Sequence, residues 1–450
     1  MPTCRRCSQG PVRLVNNKRL EVEQTRMAAP ATNDRTDGTQ SVQTFISLRT
    51  RNYRLFAVAR LFGDTGYFMS AAALNWLVLS ISGNPTHVGL VGALESIPTV
   101  FLAIAGGVLA DRFSKRGIVI LSYAGWFVLT LLLAVLTLSG FIQVWHVMLI
   151  ALGLGLVLAL GFPAEQAIIP EMVPSTLVRN AVSLLASVTW FAALFGPALG
   201  GVLVGALGPG WLFLITAVGY CIPLLATARI RVGDLHTAPP AEAGQPRGGL
   251  WHVFARKDVF WPTLIVGMVG MIAGNVSITL AVLADSVFET GAAGYGLLSA
   301  IVAVGSIVGA LIAARLRDVR LPALVVMSLV VCVMYLVSFL AQTELSFCIV
   351  LAGIGASAVL LTASANATVQ VAVPRSMGGR AMGLFTAVRF GSLAIGALLV
   401  GYLNERFGPH AAMLIGGIIL GAMTLLIGAG LTVGRIRSLC TRARQEKVSS

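Results

Sequence analysis

Charge is what this chain is short of. Only 11% of its 450 residues are Asp, Glu, Lys or Arg, less than half of the roughly 25% that water-facing domains carry. A soluble enzyme and a nucleic-acid-binding protein are therefore both disfavoured, even though the net charge is +14. Lysine is scarcest: Lys18, Lys115, Lys257 and Lys447 are the whole complement, and none stands in a GxxxxGK[ST] phosphate loop, so the motif for direct ATP coupling is missing. The five histidines (His87, His146, His236, His252, His410) form no HExxH, and no GxSxG elbow occurs, which leaves zinc and serine hydrolysis without their motifs. No catalytic residue, metal or cofactor is assigned, and the chain is not read as an enzyme. Of six cysteines, Cys4 and Cys7 form a lone CxxC without partner ligands. Cys221, Cys332, Cys348 and Cys440 lie in or beside apolar runs, where a thiol behaves as a small hydrophobe. No disulfide framework is implied.

Apolar residues are abundant instead, at 56% of the chain. A bilayer-spanning helix takes ~20 of them, so the supply suffices for about twelve such helices. Twelve long apolar windows can be read: 53–79, 88–110, 117–138, 144–166, 181–206 and 210–228, then 260–284, 294–314, 321–341, 345–370, 381–403 and 409–433. Residues 1–52 hold Arg5, Arg6, Arg13, Lys18, Arg19, Arg26 and Arg35 and no apolar run; they are read as a disordered cytoplasmic tail without a secretory signal, with Met27 as a second candidate start. The polar stretch 229–259, with Pro239, Pro240 and Pro246, is the central linker, and 434–450 a second cytoplasmic tail. The expected organisation is an all-α membrane protein with six-helix bundles over 53–228 and 260–433.

Basic residues fix the orientation, because Lys and Arg beside short loops resist translocation. Arg112, Lys115, Arg116, Arg179, Arg229, Arg231, Arg247, Arg256, Lys257, Arg315, Arg317, Arg320, Arg375, Arg380, Arg435, Arg437, Arg442, Arg444 and Lys447 fall on one side with the basic N-terminal tail. Only Arg406 falls on the other. An even helix count with both termini cytoplasmic, in a cell (plasma or inner) membrane, follows. The excess positive charge then serves topology and attraction to anionic lipid headgroups. Trp145 and Trp211 at outer edges and Trp261 at an inner one fit interfacial aromatic belts.

The halves repeat. Val173-Pro174, Ala181, Leu184, Gly196, Gly201, Gly208 and Pro209 recur 200 residues on as Val373-Pro374, Ala381, Leu384, Gly396, Gly401, Gly408 and Pro409. The stretch from Gly106 to Arg112 matches Gly309 to Arg315 in the same way. Two pseudo-symmetric bundles suit an alternating-access carrier, which rocks one half against the other around a midplane cavity.

At these residues the chain resembles the major facilitator superfamily. Gly107-Val-Leu-Ala-Asp111-Arg112-Phe-Ser-Lys115-Arg116 is similar to that superfamily's G-x-L-A-D-R-x-G-R-R loop, with Ser114 in place of the second glycine. Gly196-Pro197-Ala-Leu-Gly200-Gly201 in the fifth helix resembles the motif of proton-driven exporters. Gly63-Asp64, the segment from Phe162-Pro163 to Val173-Pro174, and Val373-Pro374 with Gly379-Arg380 resemble the drug:proton antiporter branch that holds macrolide efflux proteins and the enterobactin exporter. The resemblance spans 52–433. It implies the twelve-helix fold, export, a working monomer, and a gating role for the loop of Gly107, Asp111, Arg112, Lys115 and Arg116, with a partner at the start of the eleventh helix near Arg380. The alternative for that loop is topology alone. For Gly196, Pro197, Gly200 and Gly201 the alternatives are a bend with a close helix approach, or a plain helix contact.

A charge at a helix centre costs at least ~2.5 kcal/mol on insertion scales, so interior charges point to function. Arg60 and Asp64 stand four apart on one helix face. Their pair either titrates as the bundles rock, coupling transport to protons, or stays permanently closed. Glu95 in the second helix is read either as a proton-coupling acid or as a vestibule residue. Arg389 in the eleventh helix is placed in the substrate cavity, where it can approach Asp64. Asn275 and Asn366 either line that cavity or glue helices together, and Glu165 is read as interfacial. The function expected is proton-coupled efflux of amphipathic or cationic small molecules, with lipids and protons as further partners and no nucleic acid. Export of an endogenous metabolite such as a siderophore, uptake of a nutrient, and a non-transporting sensor or scaffold are the alternatives.

Overall fold

The computed structural model describes residues 45–235, 256–316, 319–341, 343–372 and 378–449; the side chains at 103–112, 179, 194, 378–382 and 432–449 lie outside the described residues. Twelve long helices run through the described chain. In the first half they are α1 (Arg51–Ser82), α2 (Pro85–Arg112), α3 (Lys115–Leu138), α4 (Val144–Met172), α5 (Val178–Leu207) and α6 (Pro209–Ala228). In the second half they are α7 (Lys257–Ser286), α8 (Gly291–Arg315), α9 (Leu321–Leu340), α10 (Glu344–Ala372), α11 (Gly378–Phe407) and α12 (Pro409–Ser449). Ten of them are long and apolar enough to cross a bilayer; the other two are α1, which carries Arg51, Arg54, Arg60 and Asp64, and α2. Side chains such as Leu121, Ile349 and Leu426, each more than 60% exposed, have no place in water in such numbers and instead meet lipid.

Several boundaries differ from the sequence reading. Folded structure extends upstream of residue 53: Ile46–Arg49 is a 3-10 turn, Ser47 Oγ donates to Asn180 Oδ1 (2.6 Å), and Asn52 exchanges two hydrogen bonds with the backbone of Arg231. Residues 45–52 are thus tied to the bundle by polar side chains, which hydropathy does not register. Most of the tail and of the linker lies outside the described residues. The last helix continues through 434–449, since the basic sequence Arg435 to Lys447 holds no Gly or Pro to stop it. The seventh helix is broken by a 3-10 turn at Ala273–Asn275, where the Asn275 amide donates back to the Met271 carbonyl (3.1 Å) and so competes with the backbone ladder.

The repeat is visible atom by atom. Gly208 and Gly408 both take positive φ (82° and 78°), a conformation glycine adopts without steric cost, and each is followed by a proline in the first turn of the next helix. A Cβ on Gly196 would lie 2.6 Å from Phe68 Cβ on α1, and one on Gly396 would collide with the Met271 carbonyl on α7. Gly155 on α4 meets the Glu95 carbonyl of α2, as Gly355 on α10 meets that of Val302 on α8. Small residues let these backbones touch.

The same spacing closes the seam between the halves. Gly201 on α5 lies against Gly296 on α8, and Gly401 on α11 against Pro85 and Gly89 on α2. Beside the second contact Asn84 Nδ2 donates to Glu405 Oε1 (3.0 Å), and the Thr86 hydroxyl donates to Glu405 Oε2. Both contacts lie at the end of the bundle that holds the α1–α2, α5–α6, α7–α8 and α11–α12 loops. At the opposite end a cavity of about 670 Å³ opens among α7, α8, α9 and α10.

Candidate transport site

The cluster of greatest interest sits within the first half. On α1, Arg60 and Asp64 are one turn apart, which places both on one face; Arg60 Nη2 lies 3.0 Å from Asp64 Oδ2. The other arm of the guanidinium pairs with Glu165 Oε2 on α4. Each of the three side chains is 13% exposed. From α5 the Thr189 hydroxyl donates to Asp64 Oδ2 (2.6 Å) and accepts from Arg60 Nη2 (3.3 Å). Tyr123 on α3 and Tyr220 on α6 face the same charges; the Tyr123 hydroxyl lies against Glu165, and that of Tyr220 is buried without a hydrogen-bond partner among the described residues. Charge counting gives the chemistry. One cation stands against two carboxylates in a poorly hydrated interior, where uncompensated charge is costly. The guanidinium can neutralise one of them, and one proton would suffice to neutralise the other.

Glu165 is thereby relocated. The sequence places it at the interface because it lies near the end of an apolar window; α4 in fact runs on to Met172, and Glu165 enters the cluster. Its partner is 105 residues away in sequence, beyond any local spacing rule. Thr189 was likewise invisible, since a threonine in an apolar helix carries no motif.

Glu95 on α2 is separate from this cluster. The Tyr67 hydroxyl donates to it, and the pair lines a small cavity of about 10 Å³ with Trp126, Thr130 and Ser70. Arg389 on α11 is exposed, faces Tyr67 and forms no ion pair among the described residues. The structure does not bring it to Asp64. Asn275 lines neither large cavity; its amide donates to the Leu393 carbonyl of α11 (3.2 Å) and so ties α7 to α11. Asn366 accepts from Gln370 Nε2 one turn on (2.5 Å).

In the α2–α3 loop Lys115 pairs with Glu171 on α4, and Arg116 donates to the Thr227 and Ala228 carbonyls at the end of α6, a favourable place for a cation. Both hold the first half together. Ser114, in the position of the motif's glycine, caps α3 by accepting from the Gly117 amide (3.3 Å). The side chains of Asp111, Arg112 and Arg380 lie outside the described residues, as does that of Gly107's neighbourhood on α2.

A second cavity of about 230 Å³ lies between the halves, walled by Phe68 and Asn75 of α1, Trp190 and Pro197 of α5, Ser277 of α7, and Tyr295, Ser299 and Ser306 of α8. It is apolar and aromatic with scattered hydroxyls and one amide, and no charged side chain lines it among the described residues. Trp190 also lines the large open cavity, where it is the one wall residue from the first half among the described residues.

A family model described as transmembrane secretion effector, within the major facilitator superfamily, matches residues 42–445. The chain belongs to that family. This major facilitator protein is a multi-pass membrane transporter. Its relatives include the staphyloferrin A transporter of Staphylococcus aureus, 24% identical over 55% of this chain and 63% of that protein; in that alignment the chain spans less than two thirds of the relative's length. The enterobactin exporter EntS of Salmonella typhimurium is 26% identical over 83% of this chain and 92% of its own length. The multidrug efflux pump Tap of Mycobacterium tuberculosis is 25% identical over 80% and 88%. Among solved structures, a bacterial homologue of the human lysosomal transporter Spinster, inward-facing and unoccupied, superposes with a TM-score of 0.64 at 16% identity, over 84% of this chain and 95% of that one. That likeness speaks for the fold.

Proposed function

We propose that this transporter exports amphipathic small molecules in exchange for protons by alternating access, working as a monomer in the cell membrane with both termini in the cytoplasm and without enzymatic activity. The observation that carries the reading is the Arg60–Asp64–Glu165 cluster, whose one cation and two buried carboxylates leave room for one exchangeable proton. The basic-residue asymmetry of the loops supports the orientation, which turns the open end of the bundle toward the cytoplasm, ready to load. An apolar, aromatic inner cavity with a few hydroxyls suits an amphipathic molecule, and the multidrug pump Tap is similar over most of the chain. The test uses inverted vesicles with an imposed pH gradient. Substrate-dependent collapse of the gradient supports antiport. Asp64→Asn is expected to abolish gradient-driven transport while leaving passive exchange; wild-type coupling in that variant removes Asp64 from the mechanism.

A second reading, export of an anionic metabolite such as a siderophore, is favoured by one feature: Arg389 is exposed and holds no ion pair among the described residues. The similarity to EntS points the same way. Arg389→Ala separates the two, being expected to weaken transport of an anionic catecholate while sparing a lipophilic cation such as ethidium.

A further inference from the structure

We infer that Thr189 is the positioning residue that links the charge state of the Arg60–Asp64–Glu165 cluster to Trp190, and that Trp190 is the gate between the open cavity and the inner one. The inference rests on the proposed exchange of a proton at that cluster and adds the path by which the exchange reaches the substrate.

Thr189 and Trp190 are neighbours on α5, so their side chains leave the helix about 100° apart. Thr189 turns into the first half and holds Asp64 and Arg60. Trp190 turns toward the seam, and of the residues that wall the two large cavities it alone, among the described residues, is shared by both. Trp190 thus stands on the wall common to the 670 Å³ cavity and the 230 Å³ cavity, where a turn of the indole changes the space between them. Further along α5, Pro197 removes one backbone hydrogen bond. Beyond it, Gly201 is pressed against Gly296 of α8. The part of α5 before the proline can therefore reorient while the part after it stays on α8.

The link is a matter of donors and acceptors. Asp64 is faced by Arg60 on its own helix, Tyr123 on α3, Glu165 on α4, Thr189 on α5 and Tyr220 on α6. With Asp64 ionised, its Oδ2 accepts from both Thr189 and Arg60. A proton placed on that oxygen turns it into a donor, so two O–H groups point at each other. That oxygen keeps some acceptor capacity, but with its own hydrogen competing for the space Thr189 either donates more weakly or reverses its bond and accepts from Asp64. Either outcome loosens the hold of α1 on the turn of α5 that carries Trp190.

The test needs no knowledge of the substrate. The full chain in lipid nanodiscs is titrated with acid, and iodide quenching of Trp190 is isolated as the difference between the parent protein and Trp190→Phe. An acid-induced change in quenching is expected in the parent and in Thr189→Ser. It is expected to be lost in Asp64→Asn, and in both Thr189→Val and Thr189→Ala, each checked for helix content. If the valine and alanine variants keep the change while Asp64→Asn loses it, Thr189 is not the link and the proton reading stands. If Asp64→Asn keeps it, the cluster does not drive Trp190, and the gradient assay then judges the proton reading separately. No change in the parent protein overturns the inference. The gate is checked by Ala193→Cys, which lines the inner cavity: adding Trp190→Ala should speed its labelling by a membrane-impermeant maleimide several-fold, and an unchanged rate would overturn the gate.

Discussion

The two halves of this transporter share a packing scheme and divide their chemistry. Gly196 and Gly396, Gly155 and Gly355, and Gly208 and Gly408 do the same work in each half, yet the ion-paired interior cluster is found in the first half alone among the described residues. There α1, α4 and α5 converge on three charges, while the second half offers a broad cavity and, on α11, the exposed Arg389. Duplication of a fold thus preserved backbone contacts, which any rocking pair of bundles needs, and left side-chain chemistry free to diverge. A buried charge cluster in one half and a wide cavity in the other is the division that results.

The sharpest way to break this comparison is Arg60→Ala, which leaves two buried carboxylates facing each other. Removing one partner of a buried ion pair costs about 3–5 kcal/mol, so a large loss of folded protein in lipid, measured by unfolding in denaturant, is expected. An equivalent loss on Arg389→Ala would show that the charges of the two halves are not different in kind. Next, Glu165→Gln removes one of the two carboxylates but keeps its shape. Gradient-driven transport should fall on the order of 100-fold, within the range for a positioned proton-transfer group, while counterflow without a gradient persists. The symmetric contacts provide a smaller effect. Gly201→Ala and Gly401→Ala each push a methyl toward backbone that cannot yield, whereas Gly205→Ala meets the Cβ of Ala293 at 3.2 Å. Overpacking of about 1–3 kcal/mol should slow transport in the first two and spare the third, with cross-linking across Asn84 and Glu405 reporting how far the seam closes. Smallest is Asn275→Ala, which removes one interhelical hydrogen bond worth about 0.6–2 kcal/mol and should lower thermal stability slightly without altering what is carried.

How much of this was legible beforehand depended on distance along the chain. Long apolar windows and a 200-residue echo are local or periodic, so the twelve helices and their two bundles could be read directly. Arg60 and Asp64 could be paired for the same reason, being one turn apart. Glu165 could not, because its partner lies on a helix three elements earlier and nothing in Phe-Pro-Ala-Glu165-Gln says which way that carboxylate points. Thr189 and Trp190 are ordinary residues in an apolar helix until α1 and α8 are set beside them. Asn275 had two readings on sequence, and only the approach of Leu393 decides for the helix contact. Ser114 stands where the motif has a glycine, and it has a task of its own at the start of α3.

The contacts at Gly201–Gly296 and Gly89–Gly401 have a mechanical consequence. Where two helices meet through bare main chain, nothing interlocks, so parting them asks no rotamer to change and strips no knob from its socket. Such a joint can swing quickly and return to the same register every cycle. It also tolerates no grit: a single added methyl acts as a wedge, holding the door ajar.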